Sequence, residues 1–332
     1  MPRRIPLAHL PSPIERRPAL DEIVGAKIWV KRDDATGGAE AGNKLRKLEF
    51  LLAQAKEQKA ELVLTCGGHQ SNHARATALS AARLGMRSVL YLRVPDPAKA
   101  RERVDLTGNV LLDAMAGAEI VYITPDEYKQ RNAILEAARL SLLAEGVPAY
   151  VIPEGGSNGL GALGYVEAMR EVRTQITHGL CPRFDVVAHA CGSGGTAAGV
   201  ALGARHYDVA DRAWAFAVCD DAAYFKRVIE GIMDEARGWD SALPKKTGLV
   251  VDDHAKGPAY AVMDEEQKRF LTLVAQRTGY IFDPVYTGKA IWGVARAVER
   301  GDISSEANVL FLHTGGLPGL LAQGEELRDA LA

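Results

Sequence analysis

The chain has 332 residues, of which 47% are hydrophobic and 25% charged, and its formal net charge is −2. That length accommodates one large or two medium domains, and the small net charge gives no electrostatic case for binding nucleic acid or an anionic membrane. No apolar run is long enough to span a bilayer, and the proline-broken N-terminus does not resemble a signal peptide. The four cysteines show no C-x-x-C pair and no zinc spacing, which favours reduced thiols in a cytoplasmic protein.

Strand-like and helix-like segments alternate along most of the chain. We expect an irregular arm over residues 1–26, followed by strands at 27–34, 61–66, 88–93, 119–123, 149–152, 184–190, 213–218 and 309–312. Helices are predicted between them from Lys44 onward, at 71–84, 104–115, 126–144 and 196–205. This alternation predicts βαβ units with parallel sheets. The glycine-rich segment 154–161 is the best internal boundary, so we expect two α/β lobes with a site between them.

Lys44 stands just after a glycine turn, at the start of a helical pattern. The N-terminal end of a helix carries partial positive charge, which disfavours an ammonium group, and partial burial would lower the lysine pKa further. A neutral amine there is able to hold a carbonyl compound as a Schiff base. The alternative is an ordinary solvated lysine. Lys47 and Glu49 are expected on the solvent-facing side of the same helix.

The turn Gly192–Thr196 lies between a predicted strand and a predicted helix. Its glycines let the backbone approach a ligand closely, and successive N–H groups at the helix start point towards an anion, so this turn is a candidate phosphate cradle. It is not a Walker loop, but Gly192, Gly194 and Ala197 fit G-x-G-x-x-A loosely, and Asp220 follows the next strand. A nicotinamide-dependent oxidoreductase therefore remains an alternative.

A second strand-to-helix turn runs from Gly67 to His73. Ser71 and Asn72 are expected to cap the following helix and to offer donors to a carboxylate. His69 and His73 are four residues apart, which is compatible with a metal pair, but no third ligand is suggested, and we predict no metal site.

Two further turns offer groups for a planar cofactor. Tyr286 precedes a predicted helix and is able to stack on a ring or transfer a proton, and Thr314 follows the last predicted strand. A helix-start lysine, a cradle for a single phosphate and an aromatic ring would together hold pyridoxal phosphate, with the lysine binding its aldehyde.

Seven segments match one known family over about residues 7–320. They read IWVKRDD, GNKLRKLEFL, QSNHAR, PEGGSNGLGALGYVEA, GSGGT, DPVYTGKA and FLHTGG. On these motifs the chain resembles the D-cysteine desulfhydrase and 1-aminocyclopropane-1-carboxylate (ACC) deaminase family of fold type II pyridoxal-phosphate (PLP) enzymes, a group that also includes L-cysteate sulfo-lyase. The resemblance implies a two-lobed α/β fold of the tryptophan synthase beta type. It implies a large domain of residues 1–48 plus 158–332 and a small domain of residues 49–157, and it suggests a homodimer.

The resemblance also implies roles for individual residues. Lys44 would bind the cofactor's aldehyde, Asn72 its phenolic oxygen, and the ring of Tyr286 would stack on the pyridine. Ser71, Tyr260 and Tyr286 would serve substrate binding or proton transfer, and the substrate loop would comprise His69, Gln70, Ser71 and Asn72. The remaining cofactor contacts would come from Gly192, Ser193, Gly194, Gly195, Thr196, Thr287 and Thr314.

The implied reaction is an α,β-elimination on a small β-substituted amino acid, with D-cysteine as the first candidate substrate and L-cysteate as the alternative. Ring-opening ACC deaminases carry a glutamate where this chain has Thr287, which favours elimination over ring opening. His69 replaces the small or branched residue that is usual beside the serine motif, and this leaves the substrate's β-substituent open. A ligand-binding protein that has lost turnover is a remote alternative.

Overall fold

The computed structural model describes residues 1–331, apart from the side chain of Ala330. Ten strands lie within that range: β1 Ile14–Arg16, β2 Lys27–Arg32, β3 Leu62–Gly68, β4 Arg87–Arg93, β5 Glu119–Ile123, β6 Ala149–Val151, β7 Phe184–Cys191, β8 Ala210–Ala217, β9 Leu249–Asp252 and β10 Asn308–His313. They form a six-stranded sheet in the order β1-β2-β10-β7-β8-β9 and a four-stranded sheet in the order β5-β4-β3-β6.

Helices connect and cover these strands. They are α1 Pro18–Val24, α2 Lys44–Glu57, α3 Asn72–Arg83, α4 Pro97–Glu102, α5 Gly108–Met115, α6 Pro125–Lys129, α7 Arg131–Ala144, α8 Gly159–Thr177, α9 Gly195–His206, α10 Ala222–Trp239, α11 Glu265–Thr278, α12 Thr287–Glu299, α13 Leu317–Leu321 and α14 Arg328–Leu331. Across residues 1–331, none of them combines the length and the apolar character needed to cross a bilayer.

The predicted parallel α/β architecture is confirmed. Strand pairs in both sheets run parallel, except that β1 pairs with β2 antiparallel. All but one residue of β7 are buried, as expected for a parallel strand whose sheet is covered by helices on both faces. The strands of the four-stranded sheet come from residues 62–151, and those of the six-stranded sheet from residues 14–32 and 184–313. The exact division into two domains stays a prediction.

Three sequence-based expectations about local structure are wrong. Residues 1–26 are not an irregular arm throughout, because β1 and α1 form there; α1 begins with Pro18, buries Leu20 and Val24, and ends at Gly25 with φ 84°. The helix expected from residue 104 begins only at Gly108, because residues 103–107 are exposed and Thr107 is extended. The long helix expected at 126–144 is interrupted at Gln130, whose ψ of 15° is not helical.

The face of α2 that was expected to meet solvent is covered. Lys47 and Glu49 are 1% and 2% exposed, so their predicted position on a wet face is wrong. The N-terminal segment lies over Glu49, whose carboxylate oxygen accepts hydrogen bonds from the backbone N–H groups of Leu7 (2.9 Å) and Ala8 (3.1 Å). Lys47 is covered by a different segment, at Gly155. Such a long-range contact cannot be predicted from the periodicity of the helix itself.

Arg46 fixes α2 to the rest of the fold. Its guanidinium donates to the carboxylate of Asp33, just after β2, at 2.9 and 2.8 Å, and to that of Glu171 on α8 at 3.0 and 3.1 Å. The phenolic hydroxyl of Tyr165 also donates to the Asp33 carboxylate, at 2.6 Å. These charge-assisted bonds are buried, so they constrain where the first turn of α2, and therefore Lys44, lies.

Candidate active site

A cavity of about 670 Å³ opens where strands from both sheets end. Its wall includes Gly68 and Arg93 from the carboxyl ends of β3 and β4, and Cys191 from the end of β7. In open parallel sheets, ligands bind outside the carboxyl ends of the strands. The predicted site residues that line this cavity are Lys44, Ser71, Asn72, Gly192, Ser193, Gly194, Thr196, Tyr260, Tyr286 and Thr314.

The turn before α2 ties Lys44 to two other parts of the cavity. Gly42 has φ 128°, a backbone conformation that favours glycine, and the next residue, Asn43, donates its N–H to the carbonyl of Thr314 at 3.1 Å. The side-chain amide of Asn43 donates to the hydroxyl of Thr196 at 3.2 Å, and its oxygen accepts from the Lys44 ammonium at 3.2 Å. Asn43 therefore connects the reactive amine with the candidate phosphate turn.

The pKa of Lys44 is lowered to about 8, chiefly by burial and next by the positive charge of Arg75. Both effects disfavour the charged form, and together they outweigh the carboxylates of Glu154 and Asp283. The predicted direction of the shift is found, although its main causes are burial and a neighbouring cation rather than the helix end. About a tenth of the Lys44 side chains are thus neutral at pH 7, and half are neutral at pH 8.

The candidate phosphate turn has the local structure that its sequence predicted. It joins β7 to α9, Gly194 adopts φ 84°, and the first N–H groups of α9 lie beside the cavity. A Cβ atom on Gly192 would lie 3.0 Å from the ring of Tyr286, so a larger residue there would press against that ring. The hydroxyl of Ser157 accepts the Gly195 N–H at 3.2 Å and lies 2.8 Å from the Ser193 hydroxyl.

Lys47 adds a cation to this turn that the sequence analysis missed. Its ammonium donates to the carbonyl of Gly155 at 3.1 Å and to the hydroxyl of Ser157 at 3.4 Å, and no carboxylate in residues 1–331 forms an ion pair with it. Burial, followed by the charge of Lys44, holds its pKa well below the usual range. A phosphate dianion bound at this helix N-terminus would favour the protonated form of Lys47 and be compensated by it. The position of Lys47 one turn after Lys44 on α2 is the sequence signal that could have pointed to it.

Ser71 and Asn72 begin α3, as predicted. The Ser71 hydroxyl caps the helix by accepting the N–H of Ala74 at 3.2 Å. The side-chain oxygen of Asn72 accepts from the amide of Asn109 on α5 at 3.1 Å, which leaves the Asn72 NH₂ group as the donor that this side chain has available. Asn109 was not predicted, because the helix that carries it lies more than 30 residues away.

Two tyrosines form the opposite wall. The hydroxyls of Tyr260 and Tyr286 are 2.6 Å apart. Burial raises the pKa of Tyr260 to about 12, and burial together with Tyr260 raises the pKa of Tyr286 well above its usual range. Tyr286 is held by Asp283, whose carboxylate accepts the N–H groups of residues 285, 286 and 287 at 2.9–3.0 Å.

Three predicted site residues are turned away from the cavity. The ring of His69 meets that of Tyr122 edge to face, with centroids 6.0 Å apart. The Gln70 side chain bonds to the backbone at residues 107 and 109, and the Thr287 hydroxyl donates to Asp283 at 2.6 Å. Gly195 does not line the cavity either, and its backbone N–H donates to the Ser157 hydroxyl.

The two histidines of the substrate loop have separate partners. His73 is buried, and its Nε2 lies 2.8 Å from the Thr65 hydroxyl, whereas His69 packs on Tyr122. Within the part of the chain that the structure describes, no group of three or more His, Cys, Asp and Glu side chains is arranged to hold a metal ion.

These residues fit pyridoxal phosphate. An amine with a lowered pKa, a glycine turn with a buried cation beside it, and an aromatic ring against Gly192 match the aldehyde, the phosphate and the ring of that cofactor. The loose dinucleotide match at Gly192–Ala197 lies on this same turn, whose geometry also fits a single phosphate.

Comparison with known proteins supports pyridoxal phosphate as the cofactor. Residues 5–315 match the family model described as pyridoxal-phosphate dependent enzyme. The chain belongs to this family, and its cofactor is pyridoxal 5′-phosphate.

Its relatives narrow the family further. The chain is 42% identical over 331 residues to a bifunctional D-cysteine desulfhydrase/ACC deaminase, mitochondrial, from Arabidopsis thaliana. The aligned region covers 98% of this chain and 81% of the relative. It is 41% identical to a putative ACC deaminase from Thermotoga maritima, over 98% of this chain and 99% of the relative. The D-cysteine desulfhydrase and ACC deaminase family inferred from the motifs is therefore confirmed.

Solved structures confirm the fold. The crystal structure of an ACC deaminase homologue superposes with a TM-score of 0.88 at 33% identity, covering 99% of this chain and 96% of that chain. Threonine deaminase isoform 2 from Solanum lycopersicum has a TM-score of 0.65 at 16% identity, over 98% of this chain and 84% of that chain, which supports the shared fold alone.

Proposed function

We propose that this protein catalyses PLP-dependent α,β-elimination on a small β-substituted amino acid, with D-cysteine as the first candidate substrate. The products would be pyruvate, hydrogen sulfide and ammonia. The observation that carries the proposal is the placement of the Lys44 amine, with its pKa of about 8, in one cavity with a pair of hydroxyl-bonded tyrosines. A base and a proton donor are the two protein groups that such an elimination requires.

The cofactor supplies the electron sink that makes the α-proton acidic. Ser71 and the first N–H groups of α3 bind the substrate carboxylate, because a capped helix start offers several donors to an anion. Lys44 removes the α-proton as a neutral amine. Tyr260 donates its phenolic proton to the departing sulfur, since it borders the space beside Gly68 and its hydroxyl is hydrogen-bonded to Tyr286.

L-cysteate is the second candidate, with pyruvate, sulfite and ammonia as products. It is favoured by one observation: Arg93 lines the cavity without a carboxylate partner in the described residues, so a cation is available for a charged substituent. For ACC deamination, the position where ring-opening enzymes have glutamate holds Thr287, whose hydroxyl is engaged with Asp283.

The proposal is tested by incubating purified holoenzyme with D- and L-cysteine, D- and L-cysteate, β-chloroalanine and ACC, and by identifying the keto acid released. Elimination yields pyruvate, whereas opening of the cyclopropane yields 2-oxobutyrate, so the product distinguishes the two reactions. Lys44→Ala is the matched inactive variant. Normal turnover and normal visible absorbance in that variant would overturn the role of Lys44, and release of 2-oxobutyrate alone would overturn the elimination.

The homodimer and the cytoplasmic location expected from the sequence stay predictions. Measuring the molar mass of the purified holoenzyme in solution tests the first.

A further inference from the structure

Arg93 lies beside the part of the cavity that would receive the substrate. It is the last residue of β4, and its partner across the sheet is Gly68 of β3, three residues before Ser71. A Cβ atom on Gly68 would lie 3.7 Å from the Tyr260 ring and 4.0 Å from the Nη2 atom of Arg93. The missing side chain of Gly68 thus leaves a space bordered by the guanidinium and by the proposed proton donor.

The charge of Arg93 is not neutralised by the protein. Its guanidinium lies over the rings of Tyr128 and Tyr260, and the Cζ atom is 4.8 Å and 5.7 Å from the two ring centroids. Considering residues 1–331, no carboxylate lies within 4.0 Å of it. The second arginine of the cavity differs, because Arg131 lies 2.8 Å from Glu154, whose carboxylate also accepts from the Tyr128 hydroxyl at 2.6 Å.

We propose that Arg93 binds a negatively charged sulfur group on the β-carbon of the substrate, either a sulfonate or the sulfide that departs from cysteine. This inference rests on the proposed elimination. The helix start at Ser71 provides donors for the α-carboxylate, and the unpaired guanidinium of Arg93 lies beside Gly68, three residues before Ser71, where it suits a second anionic group. The planar fork of a guanidinium offers parallel donors to a sulfonate, and tyrosine faces on two sides restrict its orientation.

The electron count is the same for both substituents. Lys44 takes the α-proton, the pair left on Cα forms the double bond to Cβ, and the Cβ–S bond breaks with its pair staying on sulfur. A sulfonate therefore leaves as sulfite, and a thiol leaves as hydrosulfide, which a proton from Tyr260 converts to hydrogen sulfide. In each case the negative charge on the leaving group lies next to Arg93.

A purely structural role for Arg93 has a different signature. If the guanidinium served only to hold Tyr260 through its ring, its loss would affect every substrate alike. β-Chloroalanine separates the two roles, because its side chain is neutral and chloride departs without a proton and with little need of a counter-charge.

The test compares Arg93→Met and Arg93→Lys with Arg87→Met, the same substitution at the exposed start of the same strand. Arg93→Met should lower kcat/KM for cysteate or cysteine by about 10- to 100-fold, which is the range expected for losing a hydrogen bond to a charged group. β-Chloroalanine should change less than about threefold, and Arg93→Lys should recover part of the loss. A loss that affects only cysteate assigns the sulfonate, and one that includes cysteine assigns the sulfide. Equal losses on all three substrates, or no loss, overturn the proposal.

A binding measurement separates this proposal from the proposed function. 3-Sulfopropionate carries a carboxylate and a sulfonate but has no amino group, so it cannot react. Calorimetry on the holoenzyme should show it binding at least tenfold more tightly than propionate, and Arg93→Met should abolish that difference. If the wild-type protein eliminates none of the amino acids but still prefers 3-sulfopropionate, the elimination is wrong and the anion site stands. If it eliminates β-chloroalanine without that preference, the elimination stands and Arg93 does not bind a sulfonate; an additional lack of any selective loss on cysteine in Arg93→Met would then overturn the sulfide as well.

Discussion

The hydroxyl groups of Tyr260 and Tyr286 lie 2.6 Å apart, and their rings meet edge to face with centroids 6.0 Å apart. Tyr286 precedes α12, whereas Tyr260 lies in the segment between β9 and α11. The hydrogen bond therefore joins two segments that are separated in sequence by helix α11. Since each hydroxyl is the other's partner, replacing one changes the proton affinity of the other.

Replacing Tyr260 by phenylalanine removes the proposed proton donor and leaves its ring. We expect kcat for D-cysteine to fall by about 10²-fold, which lies within the range for general acid catalysis. The visible absorbance of the bound cofactor should persist, because Lys44 is unchanged. Steady-state kinetics and an absorption spectrum of the same preparation measure both effects.

Tyr286→Phe is the matched control for this prediction. It removes the hydroxyl that accepts or donates to Tyr260 but retains the ring that borders Gly192. If Tyr260 is the donor, this change should lower kcat by less than the Tyr260 change does. A larger effect in Tyr286→Phe would transfer the proton-donor role to Tyr286.

Lys289 holds the segment that carries Tyr260. This fully buried ammonium donates to the backbone carbonyls of Lys256 at 2.6 Å and Ala259 at 2.7 Å, and more weakly to that of Val218 at 3.4 Å. Because Lys289 lies one turn after Tyr286 on α12, a single helix both presents one tyrosine and anchors the residue before the other.

Lys289→Ala should therefore displace Tyr260 and lower kcat/KM by at least about tenfold. Leaving buried carbonyls without a donor costs about 1–3 kcal/mol, so the melting temperature should also fall by several degrees. Ethylammonium, which restores the missing amine in the space left by the side chain, should recover part of the activity, whereas the same concentration of sodium chloride should not. Lys268→Ala, at a half-buried lysine paired with Glu265 and away from the cavity, should behave like wild type. Activity that no amine restores would argue against the anchoring role.

The sequence predicted the parts of the site that are built locally. The turns before α3 and α9 combine glycines, a strand end and a helix start within a few residues, and α2 directly follows a glycine turn. The candidate roles of Lys44, Ser71 and Gly194 could therefore be predicted from the local sequence. The parallel sheets were predictable for the same reason, since alternating buried strands and amphipathic helices are local features.

The groups that were missed reach the cavity by tertiary contacts. Lys47 meets the carbonyl of Gly155, more than 100 residues further along, and its burial follows from that packing rather than from the pattern of α2. Asn109 reaches Asn72 because α5 packs on α3, and the same packing engages Gln70 and turns it away from the cavity. Single-residue periodicity carries no information about which distant segment will cover a given helix face.

Lys47→Met should weaken cofactor binding without lowering the thermal stability of the apoprotein. The ammonium beside the start of α9 has no ion-pair partner in the described chain, and burial lowers its pKa well below the usual range, so replacing it with an apolar side chain of similar length should leave the apoprotein melting temperature equal or higher. The dissociation constant for pyridoxal phosphate should rise about 10- to 100-fold, as expected for losing a charge-assisted hydrogen bond.

Equilibrium binding and thermal melting with and without cofactor test these two effects together. The rise in melting temperature on adding cofactor should shrink in Lys47→Met, because stabilisation by a ligand follows its affinity for the folded state. Lys56→Met, at the end of the same helix, is the control, since its ammonium contacts only the carbonyl of Leu84 near the surface. Unchanged cofactor affinity in Lys47→Met would contradict a role in phosphate binding.

The lowered pKa of Lys44 predicts how fast the apoprotein takes up its cofactor at different pH values. Only the neutral amine attacks the aldehyde, and with a pKa of about 8 half of the Lys44 side chains are neutral at pH 8, compared with about 0.3% for an unperturbed lysine. The rate at which visible absorbance appears should therefore rise with pH, with a midpoint near 8, and level off above it. Since burial and Arg75 are the two largest causes of the shift, Arg75→Gln should move the midpoint upwards and Arg75→Lys, which keeps the charge, should move it less. A wild-type midpoint near that of free lysine would show that the amine is not activated before the cofactor binds.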